Sequence, residues 1–134
     1  MWTQFLTRPR IIERLYDKTP SLAGFRLTEI TFDRTDGGCM LRGAMARFPD
    51  FPPSHWEDDA NRAGIRLWLD DLVDFELDGW TAENPVDITI ERIDRRNRFR
   101  LVADGEDLRF EATCRGLEIT DIFAYHAVEP DERN

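Results

Sequence analysis

The chain is poor in the side chains from which most catalytic and metal centres are built. It has two histidines, His55 and His126, and two cysteines, Cys39 and Cys114. No Cys–His pair or HExxH segment stands at metal-ligand spacing. Two cysteines are too few for a disulfide scaffold. Each falls in a predicted strand, where the expectation is a small apolar core side chain in a reducing compartment; a bond between the two is the alternative. Glycine-rich phosphate loops and the GxSxG elbow are missing as well. Lysine occurs once, at Lys18, and arginine supplies every other basic group, a usage that fits a GC-rich bacterial genome better than any function.

Long apolar runs are also lacking. Nothing approaches the roughly 20 residues of a membrane-spanning helix. The opening Met1-Trp2-Thr3-Gln4-Phe5-Leu6 has neither the apolar core nor the cleavage site of a secretory signal. These absences lead to the expectation of a cytoplasmic protein with no membrane partner, no metal and no cofactor. Carboxylates are abundant, but a catalytic acid–base pair needs two environments that push its pKa values apart. The acids here crowd together in one wet setting, so no enzymatic activity and no catalytic residue is expected.

What is present is a strand-rich pattern. One short N-terminal helix is predicted, started by Pro9, carrying Ile11, Ile12, Leu15 and Tyr16 on one face, and stopped at Thr19-Pro20. After Ser21 the chain reads as strands: Phe25 to Phe32 and Cys39 to Arg47 across Asp36-Gly37-Gly38, then Ile65 to Leu69 and Val73 to Leu77 across Asp70-Asp71. Val86 to Ile90, Phe99 to Ala103, Leu108 to Cys114 and Leu117 to His126 complete about eight, with a phase change near Asp121 that predicts a bulge. Phe48 to about Arg62 breaks the pattern, because Pro49, Pro52 and Pro53 cannot sit in a central strand. A stretch of that length either packs tightly or carries function. The fold class is α+β, β-dominated, with antiparallel sheets forming a sandwich or a partly closed barrel. One domain is expected over residues 1–127, with 128–134 as a flexible C-terminal tail.

The net charge of −9 is not evenly spread. Between Phe48 and Glu91 stand twelve acids, Glu83 among them, against two bases, Arg62 and Arg66; that segment carries −10 and the remainder +1. With Val73, Phe75 and Leu77 assigned to the core, Asp74, Glu76 and Asp78 share the outward face. Such a row attracts a basic partner. The same pattern also describes a solvated surface, and Asp70, Asp71 and Asp74 offer oxygen atoms to a cation without any recognised loop spacing. Trp68 takes the outward phase of its strand, which makes it an interface anchor or a residue under a second layer. Trp56 beside Glu57, Asp58 and Asp59 has the same two readings, whereas Trp2 and Trp80 are assigned to packing. Arg92, Arg95, Arg96, Arg98 and Arg100 surround a turn, but without interleaved aromatics they pair with nearby acids rather than bind nucleic acid. His55 and His126 read as loop and strand-end residues.

Several segments taken in order resemble the Immunity protein 50 family of bacterial polymorphic-toxin systems. They are the opening Met1 to Leu6, Ile12-Glu13-Arg14-Leu15-Tyr16, Pro20-Ser21-Leu22 and Arg26-Leu27-Thr28-Glu29-Ile30. Phe48-Pro49-Asp50, Pro52-Pro53 with Trp56, and Leu77-Asp78-Gly79-Trp80 follow. The resemblance extends to about Tyr125 and includes no catalytic motif. It implies a cytosolic antitoxin that binds a cognate toxin domain and blocks its active site or substrate path. Many such toxins are nucleases with basic surfaces, which an acidic face would suit. The expected partner-binding residues are Trp68, Asp70, Asp71, Asp74, Glu76 and Asp78, with Trp56, Asp58 and Asp59. Two competing classes are a small-ligand-binding β-barrel, which would need an open apolar interior, and a carboxylate-based hydrolase, which would need two acids converging in a cleft.

Overall fold

The computed structural model describes residues 2–82, 84–94 and 96–128. Glu83 and Arg95 lie outside the described residues, as does nearly all of the expected tail, 129–134.

The N-terminal segment opens with a 3₁₀ turn, Trp2–Phe5, and a four-residue helix α1, Arg10–Glu13. Pro9 caps α1 with φ −65° and ψ −26°, a conformation its ring already favours. The helix is shorter than expected. Past Arg14 the amide of Leu15 bonds back only to Ile12, so the turn tightens and ends. The expected face still packs: Ile12, Leu15 and Tyr16 are buried. Two bonds tie the segment down, Trp2 Nε1 to the Pro20 carbonyl at 3.0 Å and the Tyr16 hydroxyl to the Arg47 carbonyl at 2.7 Å.

Among the described residues eight strands follow: β1 Leu22–Asp33, β2 Gly38–Ala44, β3 Arg62–Asp70, β4 Asp74–Asp78, β5 Asn84–Arg92, β6 Phe99–Asp104, β7 Arg109–Cys114 and β8 Gly116–Tyr125. All pair antiparallel in one sheet of order β4-β7-β6-β5-β1-β2-β3-β8. The strand number and class agree with the sequence pattern; among the described residues the strands make one antiparallel sheet that does not close into a barrel. Instead β3 runs into β4 through Asp71–Val73, and β7 runs into β8 through Arg115. The pair β3–β8 and the pair β4–β7 are thus two arms of one bent ribbon, and the sheet folds over at that corner. Asp71 takes φ +52° there. The Arg115 amide bonds the Asp70 carbonyl at 2.9 Å, and the Leu72 amide bonds the Gly37 carbonyl at 2.8 Å, which fixes the bend.

Both arms turn an apolar face inward onto one core. Phe25, Leu27, Leu41, Ile65, Leu67, Leu69, Leu101, Phe110 and Leu117 are each no more than 1 % exposed. Full burial of one such side chain contributes about 1.5–3 kcal/mol. These large side chains occupy the space a barrel ligand would need. The expected bulge is present: Arg66 faces Asp121 while Leu67 faces Ile119, leaving Thr120 as the extra residue of β8.

Two burial assignments fail: Trp80, assigned to packing, is 49 % exposed, and the apolar residues around β4 are not covered. Val73, Phe75 and Leu77 were assigned to the buried core, yet they are 44 %, 46 % and 43 % exposed. Phe75 and Leu77 do lie on the inner side, opposite the buried Ala112 and Phe110. However, β4 is the terminal strand of the sheet, and the opposing arm reaches only far enough to bring Phe32 of β1 over it. Val73 belongs to the corner rather than to the strand.

Candidate functional site

Strand β4 is exposed at all five residues, and its two faces differ in chemistry. On the outer face stand Asp74, Glu76 and Asp78. Their cross-strand partners on β7 are Thr113, Glu111 and Arg109. Arg109 does not neutralise the row: its guanidinium is directed to Asp104 at 3.4 Å and to Glu111 at 3.6 Å. Arg100 is likewise paired with Glu111. Among the described residues, none of Asp74, Glu76 and Asp78 has an ion pair or a side-chain hydrogen bond. Successive carboxylates of the row are spaced by roughly 6.5–7 Å, inside the screening length of about 8–10 Å in physiological salt. The outward row expected from the alternation is therefore present.

The inner face of β4 is an apolar step at the open end of the core. Phe75 stacks on Phe32 with ring centroids 4.3 Å apart, and both rings lie 6.3 Å from that of the fully buried Phe110. With Leu77 and Val73, these half-exposed side chains continue the core out to solvent. The sequence pattern missed this patch because alternation reports the face of a strand, not whether anything covers that face. The short length of β4, closed off by Asp78-Gly79, was the available signal.

The other expected site residues fall into two further places. Trp68 is on the outer face of β3, between Met40 of β2 and Glu118 of β8. It is half-buried, with its ring lying where a Cβ at Gly38 would stand; a glycine there is what lets the indole lie flat on the sheet. Its Nε1 donates to Asp70 at 3.3 Å, and Asp71 pairs with Arg115 at 3.3 Å. These two carboxylates thus already have partners, unlike the row on β4.

Trp56, Asp58 and Asp59 are in the proline-rich loop that precedes β3. With nine residues in β3 at about 3.3 Å each, this loop is roughly 26 Å from the corner at Asp70. Asp58 and Asp59 are exposed, and Trp56 packs edge-on against Phe48 at 5.9 Å. Trp56 also lines a groove of about 500 Å³ together with Ile11, Leu15, Phe51, His55 and Ile122. The nine expected residues therefore do not form one continuous face. The irregular loop packs in part and opens a groove in part.

The remaining chemistry-bearing groups are structurally engaged. Arg98 bonds Asp94 and holds its carboxyl below the usual carboxylate range, and Arg92 lies over the rings of Phe5 and Phe99. His126 Nδ1 is 3.0 Å from the Asp59 carbonyl oxygen. Cys39 and Cys114 are buried free thiols. Burial pushes their pKa values up to about 12 and about 11, with the neighbouring Cys114 adding to the shift at Cys39. Tyr16 is raised to about 12, again by burial. Among the described residues no group of three or more His, Cys, Asp or Glu side chains is placed to hold a metal ion. Among the described residues, no helix is long and apolar enough to cross a membrane.

Comparison with known proteins gives one family. The family model described as Immunity protein 50 matches residues 8–125, most of the chain. No curated protein matches, and no solved structure matches.

Proposed function

The chain belongs to the Immunity protein 50 family, and on that premise we propose that it is the antitoxin of a polymorphic-toxin system. In this reading it binds a cognate toxin domain in the cytoplasm and blocks it, with no chemistry of its own. The observation that supports the acidic face as the point of contact is the unpaired row Asp74, Glu76 and Asp78. Neighbouring carboxylates of the row, closer than one Debye length, repel one another, and a docking cationic surface converts that repulsion into attraction. A nuclease is the partner class that fits, because a surface built to hold phosphates is basic.

The proposed toxin-facing surface centres on the β4 row. Asp70, Asp71 and Trp68 continue it around the corner. Trp56, Asp58 and Asp59 join it only where a footprint runs the length of β3.

Growth rescue tests the reading. Co-expression of this chain with the toxin domain encoded beside its gene is expected to restore growth, and the double variant Asp74→Lys, Glu76→Lys is expected to lose that protection while remaining folded. A toxin that still kills in the presence of the natural chain would remove the antitoxin reading. Full protection by the double variant would remove the β4 face from it.

A further inference from the structure

We propose that the toxin engages this protein by strand addition, with an extended cationic segment pairing along the free edge of β4. This deepens the function proposed above and rests on it. The first observation is topological. β4 ends the sheet, bonding β7 on one side, and its other edge carries backbone groups that no described strand pairs with. Such an edge is a ready template for another chain.

The second observation selects the occupant. Two copies of β4 pairing antiparallel about Glu76 would set Asp74 against Asp78, Glu76 against Glu76 and Asp78 against Asp74. All three like-charge pairs would share one face, and directly opposed like charges are destabilising. The charge row therefore blocks a second copy of this chain. The same row favours a strand that presents arginine or lysine at alternate positions, each Cβ about 4.5–5.5 Å across from that of Asp74, Glu76 or Asp78. The intervening residues of such a strand fall on the opposite face, beside Phe75 and Leu77. Apolar side chains there would extend the cluster of Phe32, Phe75 and Phe110 and shield a patch that monomeric β4 leaves half-exposed. The recognised partner is thus an alternating cationic and apolar segment about five residues long, matched to β4.

The test uses the full chain and a blocked peptide, Ac-Arg-Val-Arg-Val-Arg-Val-Arg-NH2, followed by hydrogen exchange at the β4 amides. The peptide is expected to slow exchange within residues 74–78 at least tenfold. A scrambled peptide of the same composition is expected to do so weakly. Two further peptides, N-methylated on the arginines or on the valines, separate backbone pairing from charge. One of them should lose protection and the other keep it, because only one set of amides faces β4. Equal protection by both methylated peptides, or no protection by the parent peptide, overturns strand addition. The antitoxin reading is scored separately, by the exchange footprint of the cognate toxin domain. A toxin footprint on the Trp56 groove instead of β4 overturns strand addition and leaves the antitoxin role standing.

Discussion

At the scale of single residues, the core and the corner carry the stability. Phe110 has no exposed surface and supports both half-exposed rings of the β4 step. Phe110→Ala is expected to cost about 3–5 kcal/mol in a urea titration, with the loss also loosening the Phe32–Phe75 stack. Gly79 takes φ +82°, and a Cβ there would collide with the Asp107 carbonyl, so Gly79→Ala is expected to destabilise by more than about 1 kcal/mol. The buried thiols and Tyr16 set an alkaline limit. Their folded pKa values lie above the ordinary 9.0 and 10.0, so the neutral forms are favoured in the fold. Stability from this source is fully present well below the unfolded thiol value of 9.0 and is lost as pH rises from there through the folded values of about 11 to about 12. Denaturation midpoints measured across that range are expected to fall, and a Cys39→Ala, Cys114→Ala variant is expected to fall less steeply.

At the scale of elements, the strands were legible in the sequence and their depth was not. Alternation over Ile65, Leu67 and Leu69 and over Phe99, Leu101 and Ala103 marks strands whose inner faces are covered, and the phase change near Asp121 marks the bulge at Thr120. The same alternation over Phe75 and Leu77 marks the correct face of β4, but burial depends on a neighbour that local pattern does not encode. That neighbour is fixed by pairings distant in sequence, β3 with β8 and β4 with β7, which also decide between a sandwich, a barrel and the folded-over sheet. Trp68 was legible as outward, though its seat on Gly38 was not. The loop with Trp56, Asp58 and Asp59 looked continuous with the acidic strand only because it is near in sequence. If the carboxylates of β4 guard its edge, then removing them uncovers it: Asp74→Thr, Glu76→Thr, Asp78→Thr is expected to self-associate, seen as concentration-dependent sedimentation. A strictly monomeric triple variant would show that the edge is guarded by something else.

At the scale of the whole molecule, the charge of −9 matters less than where it is left unpaired. Arg109 and Arg100 are spent on Asp104 and Glu111, Arg115 on Asp71, and Arg66 on Asp121. Among the acids left open are those of β4, which has carboxylates on one face and, with Phe32 of β1 over it, Phe75 and Leu77 on the other. Toxin binding through this strand is therefore expected to depend on salt. Affinity for the cognate toxin domain, measured by calorimetry from low to high salt, is expected to fall as salt rises. For Asp74→Lys, Glu76→Lys it is expected to be at least about 100-fold weaker at low salt, with most of that dependence gone. An unchanged affinity and an unchanged salt slope in that variant would contradict the assignment of β4 as the toxin-binding face.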